Sequence, residues 1–507
     1  MQRTTDLNTL KEKLYQAAKE GYTHYPIITE LLDDFNTPVS LYNKLRKLGS
    51  NSFLLESAEG GQHVGRYSFM GVNPVGKFIT KDWTTTVQWK GEENTFHNNP
   101  FEHLKTYLQK YRVSPVASLP RLVGGAVGYF GYDSIKYIEE IQLPPADTNT
   151  PDIYLNFYET VVAVDNLRRR ILVVNLVPVE DDQEHLEELL DKGISQTREI
   201  INTLKQPTSV NDMTFSKITG VHIPTSREEF LNAVKKAKNL IIEGDIFQVV
   251  ISQRAEFEYE GDPFVLYRAV RTLNPSPYMF YLENSADPVV YVIGSSPEMF
   301  VRKEGRNIET RPIAGTRKRG PSEDEDAALE RELLTDEKER AEHVMLVDLG
   351  RNDIGRVAEP GSVEVHDFMH IEKFSHVMHI VTRITGKADG SYDAVDTLKA
   401  CFPAGTLSGA PKVRAMQIIS ELEHLARGVY GGAVGYIDFN GNMDTCIAIR
   451  TFVLNKGKAY LQAGAGIVYD SNPDKEFEES MNKMRANLEA LEIVSKFNDA
   501  TSADFVL

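Results

Sequence analysis

Along the first 200 positions, apolar and polar residues alternate in short runs between turn residues. The runs over 122–130, 153–164 and 170–177 predict a β-rich region, interrupted by helical spacing over 184–204. From 205 to 221 (KQPTSVNDMTFSKITGV) the period is lost and Ser, Thr and Pro accumulate. This predicts a boundary between one unit over 1–210 and a second over 222–495. Past it, Ser226 with Glu229 forms a capping-box pattern, opening a helix that runs to Glu243 and stops at Gly244. A strand over 246–252 follows, with Gln248, Val250 and Ser252 on one face. Ser322 with Glu325, and Asp336 with Glu339, repeat the start signal, so the acidic stretch 323–347 is expected as two helices or one broken helix. Near the end, 436–439 meets 443–454 across Asn440-Gly441, and a turn at Lys456-Gly457 returns the chain as 459–468. That predicts an antiparallel meander. Pro473 then sits in the first position of a last helix. The string GGAVGY occurs at 124–129 and again at 431–436, which predicts two similar strands in one fold rather than a solenoid.

Composition changes this picture little. A chain of 507 residues allows two or three domains. The net charge of −17, without an offsetting basic patch, repels polyanions and argues against a nucleic-acid partner. Cys401 and Cys446 form no CxxC pair, which fits a reducing compartment. Residues 1–13 lack the apolar core of a signal peptide, and no apolar run approaches the roughly 18 residues that span a bilayer. The expectation is a cytoplasmic protein without membrane association.

Several side chains suggest chemistry. In the last helix Phe477, Met481, Met484, Leu488 and Leu491 share one face, while Glu476, Glu479 and Lys483 share another. The simplest role for the polar face is a solvated surface with an ordinary Glu479–Lys483 pair. Glu339 and Glu342 form a second carboxylate pair three residues apart. Two helices each offering such a pair would suit Mg²⁺, which takes one or two carboxylates plus substrate oxygens and water. Arg450 falls beside small residues in its strand, where it needs either a buried anion or a carboxylate partner. The segment 462–468 (QAGAGIV), read as a loop, offers the amides of Gly464 and Gly466 to a carboxylate. A dinucleotide fingerprint fails there because Tyr469 occupies the third glycine position. His379 is a candidate general acid or base, or a structural histidine.

Together these segments resemble the chorismate-utilising enzymes, and within them the anthranilate synthase large-subunit branch. The resemblance runs over almost the whole chain. It is carried by GDIFQVVISQR (244–254), NPSPYMFYL (274–282), GSSPEMF (294–300), RPIAGTRKRG (311–320), EHVMLVDLGRNDIGRV (342–357) and AGTLSGAPKVRAMQII (404–419). YGGAVGYIDFNGNMDTCIAIRT, QAGAGIVYDSNPDKEFEES and NKMRA complete it. The fold it implies is α+β, with stacked antiparallel sheets and outer helices. It implies Mg²⁺ carboxylates at Glu342 and Glu479, backed by Glu339 and Glu476. It implies substrate contacts at Gly315, Thr316, Thr406, Tyr430, Arg450, Gly464, Ala465, Gly466 and Lys483. Glu298 matches the family's general acid, whose carboxyl would be kept protonated by burial next to the metal carboxylates. His379 matches the acid/base of the pyruvate-eliminating step.

Two positions choose within the resemblance. The water-using branches carry a lysine where this chain has Gln248, and the aminodeoxychorismate branch carries a lysine where it has Ala314. Gln248 therefore favours ammonia over water as nucleophile, and Ala314 favours anthranilate as product over the aminodeoxychorismate alternative. A non-catalytic tryptophan-sensing scaffold should have gaps among these residues, and none is missing. Leu54-Leu55-Glu56-Ser57 resembles the tryptophan feedback signature; Glu56 and Ser57 would pair with Pro277, Tyr278 and Met279, with Cys446 close by. Neither cysteine lies in a strand–elbow–helix context. The resemblance therefore implies ammonia from a separate glutamine amidotransferase subunit, commonly in a heterotetramer.

Overall fold

The computed structural model describes residues 7–57, 65–117, 119–207, 217–284, 289–374 and 377–499. Of the 205–221 stretch, 208–216 therefore lie outside the described residues. Among those described, two twelve-stranded sheets are built from antiparallel ladders. Strands from before and after the 205–221 stretch share both sheets. In the first, Phe53–Glu56 pairs with Tyr278–Asn284, setting Glu56 opposite Met279 and Leu55 opposite Phe280. In the second, Gly125–Phe130 pairs with Ala433–Asp438. The two GGAVGY copies are thus neighbours, with Gly128 directly across from Gly435. A Cβ on Gly128 would lie 2.0 Å from the Tyr154 carbonyl oxygen, and one on Gly435 2.1 Å from that of Asp444, so neither strand admits a side chain there.

Alternation within the strands explains the layers. Phe280 and Leu282 face the other sheet and join its Phe78, Tyr129 and Tyr436 in one core. Met279 and Tyr281 face the opposite way, into a second core with Phe264, Met484 and Leu491 of outer helices. Strands buried on both faces read as near-continuous apolar runs. Each fully buried Leu or Phe contributes about 1.5–3 kcal/mol of transfer free energy.

The local signals mostly take the expected form. Ser226 and Glu229 make the full reciprocal box at the head of Arg227–Ile242. Ser322 caps Glu323–Thr335 by accepting from the Glu325 amide. Asp336 ends that helix and caps the next, Glu337–Gly355, so the acidic stretch is two helices. Two expectations are overturned. The stretch 443–454 is not one strand. Met443–Ile447 belongs to the second sheet and Thr451–Asn455 to the first, because Ala448 exchanges backbone hydrogen bonds with Gly431 and Gly432 and turns the chain across. The predicted meander is therefore two hairpins in different sheets. The segment 462–468 is not a loop, since Lys458–Ile467 is a strand laddered to Gln248–Glu260. No helix among the described residues is long and apolar enough to cross a membrane.

Candidate active site

The Glu337–Gly355 and Pro473–Asp499 helices bring their carboxylates into one neighbourhood. Glu342 accepts from Gln248 Nε2 at 3.2 Å. Burial first, and then the charges of Glu339 and Glu479, hold its carboxyl above the usual range. Glu476 is buried, and its carboxyl is raised by that burial and by Glu479. Glu479 itself is half exposed and makes the expected pair with Lys483, 2.8 Å away. Lys483 Nζ also donates to the Gly464 carbonyl at 3.1 Å. Glu339 accepts from Arg317 at 3.1 Å. Among the described residues no three His, Cys, Asp or Glu side chains converge as a ready-made metal cage. Mutually repelling carboxylates at a partly open site nevertheless fit a divalent cation that keeps waters and takes substrate oxygens.

Hydrogen bonding along Gln248–Glu260 decides where the glycine amides point. The Val250 amide donates to Ser408 and the Ser252 amide to Glu423, both away from Lys458–Ile467. Val250 is paired with Gly466 and Ser252 with Gly464. These are therefore the non-bonded positions of the ladder, and the Gly464 and Gly466 N–H groups point outward. Pairing with Thr451–Asn455 stops at Leu461, which leaves that side open. A Cβ on Gly466 would lie 2.6 Å from Gln248 Nε2, so the close approach of Gln248 requires glycine. Gln248 Oε1 is buried without a hydrogen-bond partner. Ala465 is placed otherwise. Its side chain lies in a core beneath the strand, and by the same parity its amide faces Ile251. Tyr430 is buried, with its hydroxyl 3.1 Å from where a Gly464 Cβ would lie.

Arg450 occupies the crossing between sheets at φ +50°. Its guanidinium is largely withdrawn from water, which lowers its pKa, and no ion pair to it is formed among the described residues. Among the described residues there is thus no carboxylate partner that would make it merely structural. Its charge reaches His379. The Nδ1 of His379 lies 3.0 Å from the Gly315 carbonyl oxygen and 3.1 Å from Thr316 Oγ1. A carbonyl only accepts, so Nδ1 carries the hydrogen and Nε2 keeps a free lone pair. Burial, with Arg450 adding to it against the Gly315 bond, lowers the imidazole pKa and keeps the ring neutral. The bulge that presents Gly315, at φ +66°, and Thr316 interrupts the register opposite His379.

Glu298 is buried, and burial pushes its carboxyl up to about 8 against the downward pull of Thr406 and the Ile313 amide. No neighbouring carboxylate contributes, so the expected help from the metal carboxylates is replaced by desolvation alone. Thr406 Oγ1 is buried facing the Glu298 carboxyl, with no well-aligned hydrogen bond formed among the described residues. An i,i+4 pair that the sequence reading passed over braces this region. Arg427 binds Glu423 at 2.6 Å and donates to the carbonyls of Leu407 and Val250.

A separate cleft gathers Glu56, Ser57, Pro277, Tyr278 and Met279, with Cys446 in its wall, around about 580 Å³ of atom-free space, mouth included. The Glu56 carboxylate accepts from Tyr267 and from Arg271 Nε. Arg66, Arg121 and Tyr436 also line it, beyond the expected residues; Arg66 and Arg121 lie in the connections before Tyr67–Gly71 and Gly125–Phe130, far in sequence from Tyr436, so no local pattern joins the three.

A family model described as chorismate binding enzyme matches residues 50–489. The anthranilate synthase component 1 of Aquifex aeolicus (strain VF5) is 48% identical over 486 residues, covering 94% of this chain and 96% of that relative. That of Acetivibrio thermocellus is 47% identical over 482 residues, covering 93% and 96%. The chain belongs to the chorismate-binding enzymes, in the anthranilate synthase component 1 family. The crystal structure of a family member, anthranilate synthase component I from Streptococcus pneumoniae TIGR4, superposes with a TM-score of 0.71 at 37% identity, covering 85% of this chain and 95% of that one. The isochorismate synthase MenF from Escherichia coli, with a TM-score of 0.67 at 18% identity, shares the fold.

Proposed function

We propose that the chain converts chorismate and ammonia to anthranilate and pyruvate through 2-amino-2-deoxyisochorismate, the committed step toward tryptophan. The observation that carries this reading is Arg450, a desolvated guanidinium without a carboxylate partner among the described residues, beside a neutral His379. A buried cation of this kind calls for an anionic ligand, and chorismate brings two carboxylates. The outward amides of Gly464 and Gly466, together with Lys483, extend the anion-binding row. Mg²⁺ held by Glu342 and Glu479, with Glu476 and Glu339 behind them, would supply positive charge for the ring carboxylate.

In the first step ammonia attacks ring C2 while the C4 hydroxyl departs. Hydroxide leaves poorly, so Glu298, protonated at neutral pH, gives it a proton and water departs. Gln248 carries no base for activating water, but its free carbonyl oxygen can accept an N–H of ammonia. In the second step His379 Nε2 takes the ring C2 proton as the C3–O bond breaks, and the departing enolpyruvate takes up a proton at its methylene carbon to become pyruvate. Ammonia comes from glutamine on a partner glutamine amidotransferase subunit in a heterotetramer, and a cytoplasmic setting fits a soluble substrate.

Arg450→Met tests the reading. Losing a charged hydrogen bond of about 1.5–3 kcal/mol should lower kcat/KM for chorismate roughly 10- to 100-fold. The ligand-free protein should melt no earlier, because an unpaired buried charge has been removed. Wild-type kcat/KM in this variant would dismiss the role of Arg450.

The same proposal includes feedback inhibition by tryptophan in the Glu56–Met279 cleft. The Phe53–Glu56 and Tyr278–Asn284 strands form its floor side by side, so a ligand there touches both parts of the chain. Ser57→Phe should relieve inhibition and leave the uninhibited rate intact. Coupling of about 1–3 kcal/mol is typical, and by reciprocity saturating chorismate must weaken tryptophan binding by the same factor. Calorimetric titration with and without chorismate checks this, and equal affinities would contradict it.

A further inference from the structure

A second cavity lies against Glu298, enclosing about 420 Å³ of atom-free space, mouth included. Of the residues assigned to substrate or chemistry it touches Glu298 and Thr406 alone. These two side chains are therefore shared between the proposed substrate site and this space. Leu346, Gly350 and Asp353, on one face of the Glu337–Gly355 helix, run along the cavity. At 1.5 Å per residue that is about 10 Å. Leu349 adjoins Gly405, next to Thr406: a Cβ on Gly405 would lie 2.0 Å from Leu349 Cδ2. At the other end Asp353 pairs with Lys412 at 2.7 Å, and Lys412 also donates to the Cys401 carbonyl at 2.8 Å. Asp353 is buried and Lys412 half-buried; their side chains keep 11% and 10% of their surface exposed, so the pair is nearly but not wholly sealed from solvent. Between the ends the walls are mostly apolar, but the buried Thr406 hydroxyl faces Glu298 and makes no well-aligned hydrogen bond among the described residues. A hydroxyl and a carboxyl with spare hydrogen-bonding capacity, facing a cavity large enough for water, make a site for bridging water.

We propose that this cavity is the proton-return path of Glu298, in which water held by Thr406 connects the acid to Asp353 at the solvent edge. The proposal rests on the reading that Glu298 protonates the departing C4 hydroxyl. In that step the C4–O bond breaks, the oxygen takes the Glu298 proton and leaves as water, and the C2–N bond forms from the ammonia lone pair. The new ammonium releases one proton to solvent. Glu298 is left as a buried carboxylate, and one proton must reach it before the next turnover. Asp353 passes a proton through the cavity water and recovers one from solvent, so charge balances over the cycle. The groups facing Asp353 are Lys412, Arg356 and the Cys401 thiol; those facing Glu298 are the uncharged Thr406 and the Ile313 amide. Asp353 thus acts through Glu298 and is a positioning residue for its proton.

Rapid mixing of Asp353→Asn with saturating chorismate, Mg²⁺ and ammonium distinguishes this role from a structural one. Glu298 starts protonated, so one product per active site should form at the wild-type rate. Steady-state turnover should then fall at least about tenfold, the low end for a lost proton-transfer group. A steady-state rate equal to wild type, or a first turnover slowed as much as the later ones, would overturn the proposal. If the single variant does not fold, Asp353→Asn/Lys412→Met removes both charges without stranding either, and the same two outcomes apply. Failure of the functional reading is seen separately, as wild-type protein that makes no anthranilate.

Discussion

Glu298→Gln should lose 10²- to 10⁴-fold in the first chemical step, the usual contribution of a general acid. Glutamine keeps the shape and both polar atoms but cannot give a proton to the leaving oxygen. The wild-type pH profile should show the same group. Burial raises the carboxyl to about 8, so the active, protonated form persists through neutrality. With free ammonia held constant, turnover should then fall about tenfold per pH unit above that value. The stability sign is fixed by linkage. The folded carboxyl holds its proton more tightly than the unfolded one, whose ordinary value is 4.5. Its contribution is therefore complete below 4.5 and lost as pH rises to about 8. Glu298→Gln, which cannot ionise, should become progressively more stable relative to wild type across that window. Stopped assays with mass detection would separate this variant from His379 variants, which should slow pyruvate loss and release the amino intermediate. Turnover by Glu298→Gln within about threefold of wild type at neutral pH would remove Glu298 from the mechanism.

Where the sequence was read correctly, local physics was enough. Ser226 with Glu229, Asp336, and the turn at Gly244 obey rules spanning a few residues, and the structure realises them. Where it was misread, the deciding interaction was distant in the chain. Nothing within 443–454 marks a break, because the break comes from hydrogen bonds between Ala448 and Gly431–Gly432. The amide direction at Gly464 and Gly466 follows from what Val250 and Ser252 bind on the other edge of their strand, which no pattern in 462–468 contains. Arg450 is the most instructive case. Alternation marked it as odd but left salt bridge and anion site open, and it was read on a strand it does not belong to. The oddity survived the correction, since the turn between sheets leaves the guanidinium desolvated and without an ion pair among the described residues. The carboxylates divide in the same way. Spacing placed Glu339 with Glu342 and Glu476 with Glu479, but only tertiary packing buries Glu476, half-buries Glu342 and leaves Glu479 half exposed.

That division gives the second large effect. Glu342→Gln or Glu479→Gln should cut turnover more than about 100-fold at ordinary Mg²⁺, while Glu339→Gln and Glu476→Gln, one step removed, should cost about 10- to 100-fold in metal affinity. The two proposed ligands should differ in the metal-free protein. Glu342 is half-buried beside Glu339 and Glu479, with neutral Gln248 bonded to it, so neutralising it relieves desolvation and repulsion and should not lower the melting temperature. Glu479 is half exposed and already paired with Lys483, so its removal should leave stability nearly unchanged. Metal dependence can therefore be read without catalysis. A cation that binds only the folded state raises the melting temperature by mass action, by about 2.7 kcal/mol of stability at a hundred times its dissociation constant. Wild-type protein with chorismate should show that rise on adding Mg²⁺, and both variants should lose it. Turnover near wild type in either variant after chelator treatment, or an undiminished Mg²⁺ shift in Glu342→Gln, would mean that the cation is held elsewhere.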